Sequence, residues 1–418
     1  MTRSATFTTL AGVLSIMLMF TPSWGGPPNP TPSDGNGNTA GGGGALQGVT
    51  AQGVGNTAFG SQALFNTTSG DFNTATGVQA LWSNTIGISN TAIGFETLMF
   101  NSSGSYNTAV GVESLLINAT GNYNTAIGVG ALGGNTMGDR NTASGLQALF
   151  NNTSGSGNTA NGFKALFTNG IGSENTASGN GALFSNTSGT DNVADGVNAL
   201  FNNSTGGQNT ASGAGALNVN TTGLNNTAIG FGALSLSNGN KNVAIGYRAG
   251  ANLQSGNNNI YVGHPGVGVE SKTMRLGMAQ TSTFLAGVAS SNVNGATVTI
   301  DANGQLGVAF SSARYKRDIE SMASRSEGLL KLRPVTFSYK DDTAAAPHYG
   351  LIAEEVARVY PELVTHTASG EVQTVKYHEL IPMLLNELQR QQRELAELAT
   401  LRKELAELRA LVGSRTGQ

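Results

Sequence analysis

An Asn-Thr-Ala or Asn-Val-Ala triplet begins at Asn56, Asn73, Asn90, Asn107, Asn124, Asn141, Asn158, Asn175, Asn192, Asn209 and Asn226, and every interval is 17 residues. A further copy follows 16 residues later at Asn242, a degenerate one starts at Asn259, and an early one is discernible at Asn38. So short and fixed a period restricts the chain to folds that stack one small unit on the next. Other columns keep the same register. Ala stands two residues after each Asn, from Ala58 to Ala244, and Leu eight after, from Leu64 to Leu234. Gly stands four after (Gly60, Gly77, Gly94, Gly111) and fourteen after, from Gly70 to Gly223.

A 17-residue unit is too short for two helices and a turn, and Gly and Asn at this density would break any helix. It suits one coil of a parallel β-solenoid, a β-roll, with two short strands joined by two Gly/Asn turns. Gly supplies the positive-φ corners, and stacked Asn side chains can form an amide ladder. Small Ala lets the two sides of a coil approach, and Leu fills the space that remains. About 13 coils rising ~4.8 Å each give a rod about 60 Å long.

The ninth position is often aromatic or large: Phe65, Trp82, Met99, Phe150, Phe167, Phe184, Phe201. Successive side chains of a strand point to opposite faces. With Leu inward this column faces outward, where it would form a large apolar patch. Burial between chains is the expectation; tucking over the corner of its own coil is the alternative.

Composition divides the chain. Residues 40–260 carry 11 charged side chains, whereas 311–418 carry 30. The expected domains are a signal peptide (1–25), a Gly/Pro/Asn linker (26–54), the solenoid (55–263), a β-rich neck (264–310) and a small α+β module (311–418). The fold class is mainly β. Arg3, the apolar run 10–20 and Ser23-Trp24-Gly25 have the order of a secretory signal. The run falls short of the ~20 residues of a spanning helix, so the mature chain is expected to lack a membrane span and to be secreted or held at the cell surface.

Several chemistries are excluded. With no Cys, disulfides, thiolate metal sites and cysteine nucleophiles are absent. The four His (His264, His348, His366, His378) include no i,i+4 pair for an HExxH-type zinc helix, so no metal or cofactor is expected. The acids of the repeats (Asp71, Glu96, Glu113, Asp139, Asp191, Asp195) do not share one column and cannot build calcium ladders. A net charge of −3 and the lack of a basic groove with interleaved aromatics argue against nucleic acid.

In the neck, 296–300 and 305–310 alternate around an Asn303-Gly304 step, the signature of a hairpin. Beyond Ser311 the expected order is a strand at 335–339, a helix at 350–359, and strands at 363–364 and 372–375 around Gly370. A long helix follows from about 379 to 412. Ile381, Leu384, Leu388, Gln391, Leu395 and Leu398, then Leu401, Leu405, Leu408 and Val412, step in threes and fours with one phase slip, as in a coiled-coil seam.

Two resemblances follow from these residues. The columns of 38–263 resemble the head repeats of trimeric autotransporter adhesins, usually shorter, which implies left-handed parallel β-rolls packed as trimers. More specifically, Ser311-Ser312-Ala313-Arg314-Tyr315-Lys316-Arg317-Asp318-Ile319 resembles the cleavage-site motif of the intramolecular chaperone family. That family stands at the C-termini of phage endosialidase tailspikes and many fibre proteins. Leu332-Arg333-Pro334-Val335, Tyr349-Gly350-Leu351-Ile352-Ala353-Glu354-Glu355-Val356 and Val375-Lys376-Tyr377 extend the likeness over 311–418. It implies a homotrimer assembled by this module, followed by single-turnover self-cleavage of the Phe310–Ser311 bond by a serine–lysine dyad. Ser311 would be the nucleophile and Lys316 the base. A serine hydroxyl needs a base to act, and a lysine is one only where burial or nearby cations, here Arg314 and Arg317, bring its pKa well below ~10.4. Ser312 stands where the family has Asp. The expected function is an exported trimeric fibre or adhesin-like protein, with a cell-surface or glycan ligand for the shaft. The alternatives are a phage-derived tail-fibre-like protein, or a surface protein with a permanent, uncleaved C-terminal clamp.

Overall fold

The computed structural model describes residues 34–50, 52–285, 297–301, 304–340, 346–367 and 369–415. The expected signal peptide and the linker up to residue 33 lie outside them. The chain divides into two compact units, Met1–Leu285 and Ala286–Gln418.

In the first unit, fifteen three-residue strands, β1 (Thr39–Gly41) to β15 (Met274–Leu276), form one parallel sheet in strict chain order. Identical columns pair, as in Thr74 with Thr91 and Ala75 with Ala92. This is the expected parallel β-solenoid. It begins within the stretch expected to be linker, because Asn38 already accepts from the backbone N–H of Asn56 (2.8 Å) and is itself held by Asp34. It also runs past residue 263 into the expected neck, where β14 (Ile260–Val262) pairs with β15.

Each coil holds one strand rather than the expected two. The Ala of each triplet is fully buried, while its neighbours point out. The opposite side, which carries the Leu column, is a turn with left-handed backbone at the sixth and eighth positions, in most coils both non-glycine, as at Glu113 (φ 54°) and Leu115 (φ 51°). L-residues seldom adopt this conformation. Here the neighbouring coils enforce it: the N–H of Glu113 donates back to Phe95 O (2.9 Å), and that of Leu115 donates forward to Ala131 O (2.9 Å). The Leu side chains and the residues before them, Ala except at Thr97 and Ser114, are fully buried from Ala63 to Leu234. The corner after each strand admits only Gly; at Gly111 (φ 134°) a Cβ would sit 2.6 Å from the carbonyl oxygen of Gly128.

The amide ladder is present, and there are two. Asn124 Nδ2 donates to Asn107 Oδ1 (3.1 Å) and Gly138 O (2.8 Å), while Asn124 Oδ1 accepts from the backbone N–H of Asn141 (2.9 Å). A second ladder runs through the Asn eleven residues on: Asn118 Nδ2 donates to Asn101 Oδ1 (2.8 Å) and Gly121 O (2.9 Å). The aromatic column is half-buried within the single chain. Phe150, Phe167, Phe184 and Phe201 stack in succession at 5.6, 5.1 and 4.9 Å between ring centroids.

Tyr261 takes the place of the core Ala in β14 and is fully buried, filling the end of the core. Its hydroxyl donates to Glu270 Oε1 (2.9 Å), which Arg275 also clamps (2.8 Å). Burial alone would raise the Glu270 carboxyl, but Arg275, the Tyr261 hydroxyl and the Val267 N–H together hold it below the usual range.

The second unit opens with the expected hairpin, β16 (Val298–Ile300) and β17 (Leu306–Val308). After 3-10 turns at Ala313–Tyr315 and Ala323–Lys331 come an antiparallel pair, β18 (Val335–Phe337) and β19 (His348–Gly350), and a helix, α1 (Ala353–Val359). A second pair, β20 (Val364–His366) and β21 (Val372–Val375), leads into the 39-residue helix α2 (Tyr377–Arg415). Val356, Leu363, Val375, Leu380 and Met383 form the small core of this unit.

Candidate functional site: the 310–316 turn and the helix α2

The segment that carries the candidate dyad is one tight turn. Ser312 stands at its N-terminus, and its Oγ accepts from the backbone N–H of Arg314 (3.4 Å). Serine is a preferred residue there because its short side chain satisfies a free N–H of the first turn. A 3-10 turn has about three residues per turn, and this one ends at Lys316, which returns to extended backbone. Ser311 and Lys316 thereby meet: Lys316 Nζ donates to Ser311 Oγ at 3.3 Å. Phe310 folds back over the turn and stacks on Tyr315, 4.7 Å between centroids. The bond between Phe310 and Ser311 is thus held beside the lysine.

The two nearby cations are engaged elsewhere. Arg314 Nε donates to Ser312 Oγ (3.4 Å) and its guanidinium lies 5.6 Å from the Tyr315 ring centroid. Arg317 pairs with Asp318 (3.7 Å). Every residue from 310 to 316 is exposed in the single chain.

Behind the turn, the motif segments quoted above are tied to one another. Arg333 grips Glu355 through two bonds, the shorter 2.6 Å, and holds that carboxyl below its ordinary range. The Tyr377 hydroxyl accepts from the N–H of Leu351 (2.9 Å). A polar cluster that no sequence spacing announces fixes α2 to the 323–331 turn. Asn386 Nδ2 donates to the buried Ser326 Oγ (2.7 Å), Ser326 Oγ donates to the buried Glu387 (3.3 Å), and Arg390 bridges Glu387 (2.6 Å) and Glu327 (3.1 Å).

Beyond Arg390 the helix leaves the core of its unit. The seam residues from Leu384 to Val412 are exposed, with Leu395 at 66% and Leu405 at 50%. Among the described residues no group of His, Asp and Glu converges as a metal ion would need, and no helix is long and apolar enough to cross a membrane.

No curated protein matches the chain. Residues 311–365 match the family described as chaperone of endosialidase. The match begins at Ser311 and takes in the Arg333–Glu355 pair, the two antiparallel strands and α1. Residues 311–365 of this β-solenoid protein are thus similar to the intramolecular chaperone family, with the turn that joins Ser311 and Lys316 at their start and the long helix following them.

Proposed function

We propose that this chain is an exported, trimeric, adhesin-like fibre whose C-terminal module aligns three chains and then severs itself before Ser311. The observation that carries the reading is the exposed apolar seam of α2, the helix that follows the segment matched to the chaperone of endosialidase. Leu at this density and spacing along a solvent-facing helix calls for partner helices. Trimers are what the family's modules form. Residues 1–25 have the order of a signal that would carry the chain out of the cell.

The 3.3 Å contact between Lys316 Nζ and Ser311 Oγ supports the cleavage step. Ser311 Oγ attacks the carbonyl carbon of Phe310 while Lys316 takes the hydroxyl proton. The C–N bond to Ser311 breaks, and the proton passes to the departing nitrogen. Water then hydrolyses the ester, leaving a Phe310 carboxylate and a new amino terminus at Ser311. The nucleophile leaves with its fragment, so each chain reacts once. A lysine becomes a base when burial strips it of water. Because the turn is exposed in the single chain, the reading places cleavage after assembly has covered it.

On a denaturing gel the wild type should resolve into a mature fragment ending at Phe310 and a fragment of residues 311–418. Ser311→Ala and Lys316→Ala should remain whole. An intact wild type would instead make the module a permanent clamp. The exposed turn and Ser312, in place of the family's Asp, are what favour that second reading. Ser312→Asp keeps an N-cap and places a carboxylate where the family has one. It is expected to speed cleavage about tenfold, the effect of ~1.4 kcal/mol on a barrier. A slower reaction would deny that position an orienting role.

A further inference from the structure

The aromatic ninth column is half-buried and stacked on itself. A more exposed row of apolar residues lies on the strand side. Positions three and five after each Asn point outward on either side of the corner Gly, and they carry Ile93, Phe95, Val112, Ile127, Val129 and Phe231, each 40–59% exposed. These two columns run from Phe59 to His264. The fifth position is mostly apolar, broken by Ser61 and Asn180, whereas the third turns to small polar residues from Ser144 to Ser212; Asp195 is the sole formal charge in them. Position six, next to the stripe, is polar or glycine throughout, with Gln79, Glu96, Glu113, Gln147 and Lys164. Monomeric proteins seldom expose so many apolar side chains in one row.

We propose that this stripe, not the aromatic column, is the face by which three copies of the shaft pack on one another. The proposal rests on the trimeric reading above and identifies the surface that reading needs. Three observations select a second copy as the occupant. The strip is uncharged over nearly its whole length, which offers nothing to an anionic or cationic ligand. It repeats at the rise of the coil, so only another shaft with the same rise meets it in register from end to end. Its area also suits this role: about 60 Å of rod and a width of about 10 Å give roughly 600 Å², apolar and small polar residues together, comparable to the ~800 Å² that each partner buries in a standard interface. In parallel chains around a threefold axis the same coil of each copy lies at the same height. Ile93 would then meet Ile93 of its neighbours, and Phe95 would meet Phe95.

The absence of Cys makes the test direct. In the full chain, Ser144→Cys places one thiol in the third-position column of the stripe. Asn151→Cys places one outside the Leu side of the core. Each variant is treated with a short bismaleimide, and its mass in solution is measured by light scattering before treatment. The expected result is a trimer for both variants, with Ser144→Cys converted to covalently linked chains and Asn151→Cys left unlinked. A trimer in which Asn151→Cys links and Ser144→Cys does not, or in which neither links, overturns the stripe as the interface and leaves the trimeric reading standing. A monomer overturns both.

Discussion

Asn124→Ala should cost the shaft about 3 kcal/mol. Its amide makes two bonds through Nδ2, to Asn107 Oδ1 and Gly138 O, and its Oδ1 holds the backbone N–H of Asn141. Asn124 is fully buried. Gly138 O keeps a second donor in Asn135, at 3.0 Å, and Asn107 Oδ1 keeps the Asn124 N–H, also at 3.0 Å. The Asn141 N–H loses its partner and is left buried. Two lost bonds at roughly 1 kcal/mol each and one orphaned donor at ~1–3 kcal/mol set the total. Thr142→Ala, at the exposed start of the next coil's strand, should stay within about 0.5 kcal/mol, as exposed substitutions usually do. Urea denaturation followed by circular dichroism separates the two. Equal midpoints would mean that the ladder is decorative and that Leu and Ala packing alone hold the coils.

The second large effect concerns assembly. Removing residues 379–418 should convert soluble fibre into aggregate. Parallel pairing between coils is non-local and slow to nucleate, and a repeat of 17 residues lets one coil mistake its neighbour at little cost. Until the shaft is complete, each growing end presents unpaired strand edges and apolar stripe, which other chains can capture. An aligned helix at one end of three chains removes that freedom before the shaft zips. The truncation also takes away Leu380, Met383 and Glu387, which belong to the module's own core and polar cluster. Leu398→Lys combined with Leu405→Lys is therefore the sharper form. Both residues are exposed seam positions beyond that core, so the substitutions break the seam and spare the fold of the module. Size-exclusion chromatography with light scattering reads the outcome. A soluble trimer from either the truncation or the double variant would remove the helix from the assembly step.

The solenoid was legible because its evidence is redundant. The Asn, Ala and Leu columns were each sampled in more than ten coils, and one period fixed the stacking and the register together. The pairing of Ser311 with Lys316 was expected from the family resemblance alone, and the turn brings the two side chains into contact because they are only five residues apart. The Ser326–Asn386–Glu387–Arg390 cluster was not. It joins residues some sixty positions apart, and nothing periodic links them. The ninth column was expected to lie outward, and within one chain its rings stack on one another and are half-buried. A strand model could not show that each ring lies over its neighbour along the column.

The sequence by itself determined the period, the inward Ala, Leu and Asn, and the switch of composition at Ser311, since each follows from side-chain chemistry repeated in place. Only the tertiary structure decided the second side of the coil. Leu115 has no local reason to take positive φ and every local reason against it. Two neighbouring coils impose that conformation through hydrogen bonds from Glu113 and Leu115, so what reads as a strand in one repeat becomes a turn in the stack. The same backbone places the third and fifth positions on the outer strand side, and with them the exposed Ile93, Phe95, Ile127 and Val129.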